Sequence, residues 1–243
     1  MDLGVSYRVA EVMLWPTLMA ATRRDWRGTE NLGDHGDGLV VAPNHISFID
    51  PLVIAHFLHD NGRPPRFMGK QSVFEVPIGG RLLRGAGQIP VSRDKDPHKA
   101  LGAAVAAVRN GECLVMYPEG TITRDPEVWP MSGKTGALRV ALETGAPLIP
   151  VAQWGPNKVN PPYTKELHLL PPTTMQVTAG APLDIEDLRG RRITKALLAE
   201  GTDRLMTEIT GLLAEIRGET PPPERFDWAA EQKRRAAQRT EEE

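Results

Sequence analysis

Gly38-Leu-Val-Val-Ala-Pro-Asn-His-Ile-Ser-Phe-Ile-Asp-Pro-Leu-Val-Ile-Ala-His-Phe-Leu58 decides the fold. Residues 38–42 are a short apolar run with the length of a buried strand, and Pro51 to Leu58 reads as an apolar helix. The turn between them carries His45 and Asp50. In a continuous α-helix, positions five apart point about 140° away from each other, so these side chains meet only where the chain turns. A neutral imidazole held by a carboxylate can take a proton from a hydroxyl near neutral pH, because unperturbed histidine titrates near about 6.5. The bland alternative for Asp50 is helix capping. With Ser47 as N-cap, Asp50 falls at N3; with Asp50 as N-cap, Pro51 takes the favoured N1 position. A His-x4-Asp pattern also arises by chance, so the pair is a starting point.

Outward from this stretch, short apolar runs alternate with helical ones. Further strands are expected at Arg66–Gly69, Gln88–Val91, Leu114–Tyr117 and Leu148–Ala152, with later β signals at Leu167–Leu170 and Met175–Thr178. Helices are expected at 97–110, closed by Gly111, at Gly136–Thr144, closed by Gly145, and at Thr194–Ile216. Such alternation implies a single layered α/β domain with a mostly parallel or mixed central sheet flanked by helices. Ligands of such sheets bind beyond the carboxyl ends of the strands, and His45, Arg93 and Glu119 all follow such ends. A chain of 243 residues, 40% hydrophobic, can bury one sizeable core. Its expected divisions are an N-terminal amphipathic helical segment (1–35), the domain (36–218) and a charged tail (219–243) that is solvated helix or disorder.

The net charge of −2 argues against nucleic acid as a partner. Its distribution is uneven: 63–99 holds eight basic residues against Glu75, Asp94 and Asp96, a surplus of +5 that suits a phosphate or an anionic bilayer. One cysteine, Cys113, sits in an apolar run and reads as a small core hydrophobe. The six histidines form no metal-ligand pattern, so no metal is expected. Residues 3–21 are apolar but contain Arg8, Glu11 and Pro16, which disfavours a spanning helix. Arg23-Arg-Asp-Trp-Arg27 suits a headgroup layer, so this end reads either as a monotopic membrane surface or as a helix docked on the core.

Four blocks follow in order: Asn44-His45-x4-Asp50, Gly87-x-Ile-Pro-Val-Ser-Arg93, Tyr117-Pro-Glu-Gly-Thr121 and Leu148-Ile-Pro-Val-Ala152. Together they resemble the blocks of the glycerolipid acyltransferases, most closely those acting on 1-acyl-glycerol-3-phosphate, over residues 36 to 155. The resemblance implies that His45 is the general base on an acceptor hydroxyl and that Asp50 orients it. It implies that Arg93, with Ser92 beside it, binds the acceptor phosphate, with Lys70 as a second cation. Glu119, Gly120 and Thr121 would position the glycerol end, with Lys134 near the acceptor. The donor would be acyl-CoA or acyl-ACP, the acceptor lysophosphatidic acid and the product phosphatidic acid. No cofactor is implied, and the place of work would be the cytoplasmic face of the cell membrane, as a peripheral or monotopic protein.

One block departs from the family pattern. Glu-Gly-Thr-Arg-Ser is usual, whereas here Glu119-Gly-Thr-Ile-Thr-Arg124 displaces the arginine by two positions, which leaves its acceptor contact and the acceptor itself open. Other classes have weaker support. Ser132-Gly-Lys-Thr135 imitates a P-loop end, but Val128 stands where glycine is required. No Gly-x-Ser-x-Gly elbow supports a serine hydrolase. Alternatives within the family are another acceptor, such as glycerol 3-phosphate or another lysophospholipid. A catalytically silent lipid-binding protein on the same fold is the alternative of a different class.

Overall fold

Every residue from Leu39 to Pro43 is buried, so this strand needs cover on both faces. The computed structural model, which describes residues 22–33, 38–85, 87–91 and 97–242, supplies it. Seven strands, β1 (Thr22–Arg27), β2 (Leu39–Pro43), β3 (Pro65–Lys70), β4 (Ile89–Val91), β5 (Cys113–Val115), β6 (Leu148–Trp154) and β7 (Thr173–Ala179), form one sheet in the order β1-β7-β6-β2-β5-β3-β4. All neighbours run parallel except β6 and β7, which are antiparallel. The helices are α1 (Asp50–Asp60), α2 (Gln71–Phe74), α3 (Pro77–Gly85), α4 (Pro97–Arg109), α5 (Gly136–Thr144), α6 (Pro156–Val159), α7 (Lys195–Arg217) and α8 (Trp228–Glu242).

The period of two along the central strands builds two cores. Val40, Ala42, Leu114 and Leu148 face one layer, packed by Ala104 and Val108 of α4, Leu138 and Ala141 of α5, and Leu205 and Ile209 of α7. Leu39, Val41, Val115, Ile149 and Val151 face the other, against Val53, Ile54, Phe57 and Leu58 of α1. Cys113 lies in this second core as a buried free thiol, pushed up to about 12 by burial. Local sequence sets the helix ends. Thr194 accepts from the Leu197 amide and opens α7; left-handed Gly145 and Gly218 close α5 and α7.

Topology, more than any single element, places the site. The chain leaves β2 through α1 to β3 and β4, then returns through α4 to insert β5 between β2 and β3. Parallel neighbours β2 and β5 therefore open their carboxyl ends side by side, about 4.8 Å apart. That juxtaposition brings a residue near 45 beside one near 119.

Two expectations need correction. Residues 22–27, expected inside a helical segment at the headgroup layer, form edge strand β1, paired in parallel with β7. Trp26 packs edge-on against Phe57 and His56 at 5.6 Å and donates to Asp60, which Arg24 also pairs with. The strand propensity of this stretch shows only when β7 is there to pair with it. The rest of the amphipathic segment, 1–21, lies outside the described residues. Leu167–Leu170, read as β signal, is exposed loop, because nothing beside it offers a ladder; β7 starts at Thr173. The tail holds the mostly exposed helix α8, in keeping with the solvated helix expected, and its approach is tied down: the Ser132 amide donates to Phe226 O at 3.0 Å, and Arg225 pairs with Asp203. No helix among the described residues is long and apolar enough to cross a membrane.

Docking of Trp26 on α1 makes a stability prediction. Trp26→Ala should lower unfolding free energy by about 3 kcal/mol in urea without lipid. An unchanged midpoint would place Trp26 outside the folded domain.

Candidate active site

His45 and Asp50 meet as the turn requires. His45 Nδ1 lies 2.7 Å from Asp50 Oδ2, with Asp50 fully buried and the imidazole 17% exposed. Oδ2 also accepts from the backbone amides of Ile46, at 2.5 Å, and Ser47, at 2.9 Å. This fixes the turn: the carboxylate at the start of α1 folds the preceding loop around itself and holds the ring at its rim. Neither expected cap forms: Ile49 is the N-cap of α1, Asp50 is its first residue, and no side chain caps the helix. The Ser47 hydroxyl instead donates to Asn160 O at 2.8 Å and accepts from the Ile49 amide at 3.3 Å. That leaves the Asp50 carboxylate to the turn and the ring.

Burial pushes the Asp50 carboxyl up, while the His45 contact and the Ser47 and Ile46 amides pull it back. In its ionised form the carboxylate accepts only, so Nδ1 must donate and Nε2 is left as the acceptor. Tyr117 stacks on the imidazole, with centroids 4.2 Å apart and planes 26° from parallel. Burial, and then the nearby Asp50 carboxylate, raise its hydroxyl well above the phenol range, so it stays neutral.

Glu119 is 3% exposed, and its two oxygens accept from the His45 amide at 2.9 Å and the Met131 amide at 3.0 Å. It braces the backbone of His45. Desolvation raises it to about 8, against the pull of those two amides. Gly120 holds φ +68° in a turn closed by its own amide on Tyr117 O, and a Cβ there would meet Lys134 Nζ at 2.7 Å. Lys134 therefore lies over the same turn that carries Glu119. Thr121 approaches the Tyr163 hydroxyl at 3.5 Å. Arg124 lays its guanidinium over the Tyr163 ring, 3.5 Å from the centroid, with Trp228 at 5.2 Å. Ile122, standing where the family has arginine, is buried, so its hydrophobicity pins the loop inward and sends Arg124 to the aromatic rings.

Lys70 ends β3 and pairs in register with Val91 of β4, at the same carboxyl edge. Ser92 and Arg93 lie outside the described residues. Sequence reading missed three supports: Tyr117 as a stacking ring, Gln153 and Asn160. Gln153 and Asn44 exchange three hydrogen bonds that lock the end of β2 to β6, and Asn160 holds Ser47. Asn44 and Tyr117 stood in the quoted blocks, but nothing local marks the Gln153 partner of Asn44, 109 residues away. Among the described residues no group of three His, Cys, Asp or Glu side chains could hold a metal.

Residues 23–154, more than half of the chain, match the acyltransferase family, and the chain belongs to it. Relatives include a chloroplastic 1-acyl-sn-glycerol-3-phosphate acyltransferase of Brassica napus, 30% identical over 57% of this chain and 39% of its own length. An enzyme of that name from Borreliella burgdorferi is 29% identical over 60% of this chain and 56% of its own length. One from Bacillus subtilis is 26% identical over 72% and 81%. The chain thus spans about two fifths to just over half of the first two of these. The fold matches the crystal structure of the 1-acyl-sn-glycerophosphate acyltransferase of Thermotoga maritima, with a TM-score of 0.68 and 20% identity over 88% of this chain and 81% of that one.

Glu119 and Tyr117 give two predictions. A carboxyl raised from 4.5 to about 8 favours the folded state most below pH 4.5 and loses that contribution as pH rises to about 8. Thermal unfolding midpoints should fall across this window in the wild type, and Glu119→Gln should flatten the fall. Tyr117→Phe keeps the stacked ring and should leave kcat within about threefold; Tyr117→Ala should cost about 3 kcal/mol of stability and lower kcat. Loss of activity in the Phe variant would give the hydroxyl, not the ring, the working role.

Proposed function

We propose that the protein transfers a fatty acyl group from an acyl-CoA or acyl-ACP thioester to the free hydroxyl of 1-acyl-glycerol-3-phosphate, giving phosphatidic acid for phospholipid synthesis. The 2.7 Å contact between His45 and Asp50, inside the first block of an acyltransferase, carries this reading. Relatives named for the same activity support it.

In the reaction, the acceptor hydroxyl hydrogen-bonds to His45 Nε2 and gives up its proton as its oxygen attacks the thioester carbon. Asp50 stabilises the imidazolium that forms, and the ring is held in plane by Tyr117. The tetrahedral intermediate collapses, the carbon–sulfur bond breaks, and the imidazolium returns the proton to the departing thiolate. No enzyme nucleophile takes part. Lys134 would attract the acceptor phosphate, joined by Arg93, Ser92 and Lys70 from the β3–β4 side, with Gly120, Thr121 and Arg124 lining the approach. Work at the cytoplasmic face of the membrane, as a peripheral or monotopic protein, fits a substrate dissolved in the bilayer.

Thiol release from palmitoyl- and oleoyl-CoA, with lysophosphatidate, glycerol 3-phosphate and lysophosphatidylcholine as acceptors, tests the reading. Lysophosphatidate should be the best acceptor. His45→Ala and Asp50→Asn should each remain folded and lower kcat by about 10²–10⁴-fold. Lys134→Ala should mainly raise KM for a phosphorylated acceptor, as loss of ground-state binding does. A folded His45→Ala protein of undiminished activity would sink the mechanism, and transfer to glycerol 3-phosphate alone would change the acceptor.

A further inference from the structure

We infer that the loop Lys165–Pro172, together with Phe48 and Tyr163, is the face with which the domain enters an anionic lipid surface. All eight loop residues are exposed, Leu167, Leu169 and Leu170 among them, the last by 84%. Three leucines on one short loop are a concentrated apolar surface, and such surfaces mark interaction sites. Phe48, 61% exposed, lies between His45 and Asp50 in the chain and contacts the Tyr163 ring at 6.4 Å.

This surface is bolted to the catalytic turn. Ser47 donates to Asn160, and the Asn160 side chain donates to Thr164 O at 3.3 Å and Glu166 O at 2.9 Å. His168 N closes the loop on Val159 O at 2.8 Å. The leucine loop and the turn bearing His45 are therefore joined by hydrogen bonds through Asn160, which suits a site whose acceptor stays in the bilayer. That suitability rests on the lipid acceptor proposed above; the exposed surface itself does not.

Charge selects the occupant. Arg124, Lys158 and Lys165 are exposed near the apolar surface; the carboxylates near it are Glu166, 3.4 Å from His168 Nε2, and Asp125, which lines a cleft with Arg124 and Tyr163. A surplus of cations beside exposed leucines matches a leaflet carrying anionic headgroups, where each lysine or arginine adds attraction. A second copy docked face to face would instead bring the same cations together.

Sedimentation of the full chain with vesicles of phosphatidylcholine and phosphatidylglycerol in equal parts tests this. Replacing the three leucines, L167S, L169S and L170S together, should weaken vesicle partitioning by at least about tenfold, with the far-ultraviolet circular dichroism and urea midpoint unchanged. Leu170→Cys carrying an environment-sensitive fluorophore supplies a second readout, since the native thiol of Cys113 is buried. The label should shift to the blue on adding these vesicles and less with phosphatidylcholine alone. Undiminished partitioning of the triple variant, or a label that stays in water, overturns the inference. So does a blue shift that follows protein concentration without vesicles, which would make the loop a contact between copies. Transfer to a short-chain, water-soluble lysophosphatidate reads the proposed activity separately: vesicle binding without transfer removes the activity and leaves the lipid-facing loop.

Discussion

One buried oxygen organises this protein. Asp50 Oδ2 gathers the Ile46 and Ser47 amides and the His45 ring into a single knot at the mouth of the sheet. An ionised carboxylate in such a place costs several kcal/mol unless paired and hydrogen-bonded, and those three donors are what make it tolerable. The same donors fix the loop conformation, the start of α1 and the tautomer of the base. The pose of the His45 ring and the conformation of the turn that leads into α1 are thus set at one carboxylate.

Around that knot lies a set of braces, none of which need touch a substrate. Glu119 holds the backbone of His45 from β5, Tyr117 holds the ring, Gln153 holds Asn44 from β6, and Asn160 holds Ser47. The braces come from two stretches of chain, the turn after β5 and the segment from β6 through the short helix α6, and they arrive because β5 and β6 flank β2. A base placed this way loses little entropy on reaching its reactive pose, which is how positioning contributes to rate. Glu119 shows how a residue of a recognisable block can serve the site from behind: its conspicuous chemistry is spent on two amides.

The alternation of apolar runs gave the layered α/β class and put the central strands and longer helices close to their places, because β2, β5 and β6 are covered on both faces and α4, α5 and α7 carry their own stop signals. The edge was less legible. Thr22–Arg27 is polar on the surface of its pattern and becomes a strand only through β7, more than 140 residues later. Leu167–Leu170 has strand-like composition but no neighbour to pair with, and composition cannot supply a ladder.

Of the site, the His45 and Asp50 pair and its company of blocks were legible by themselves, since a five-residue spacing at a strand end admits few geometries and the ordered blocks name a family. The sequence likewise settled that Cys113 is core and that the arginine of the third block is displaced. Only the tertiary structure decided that Glu119 braces the base, that Arg124 rests on Tyr163 and Trp228, and that Asn160 joins the catalytic turn to an exposed leucine loop. The physical reason is range. Spacing and periodicity report what residues a few positions apart can share, whereas these contacts join residues tens of positions apart that only the strand order brings within hydrogen-bonding distance.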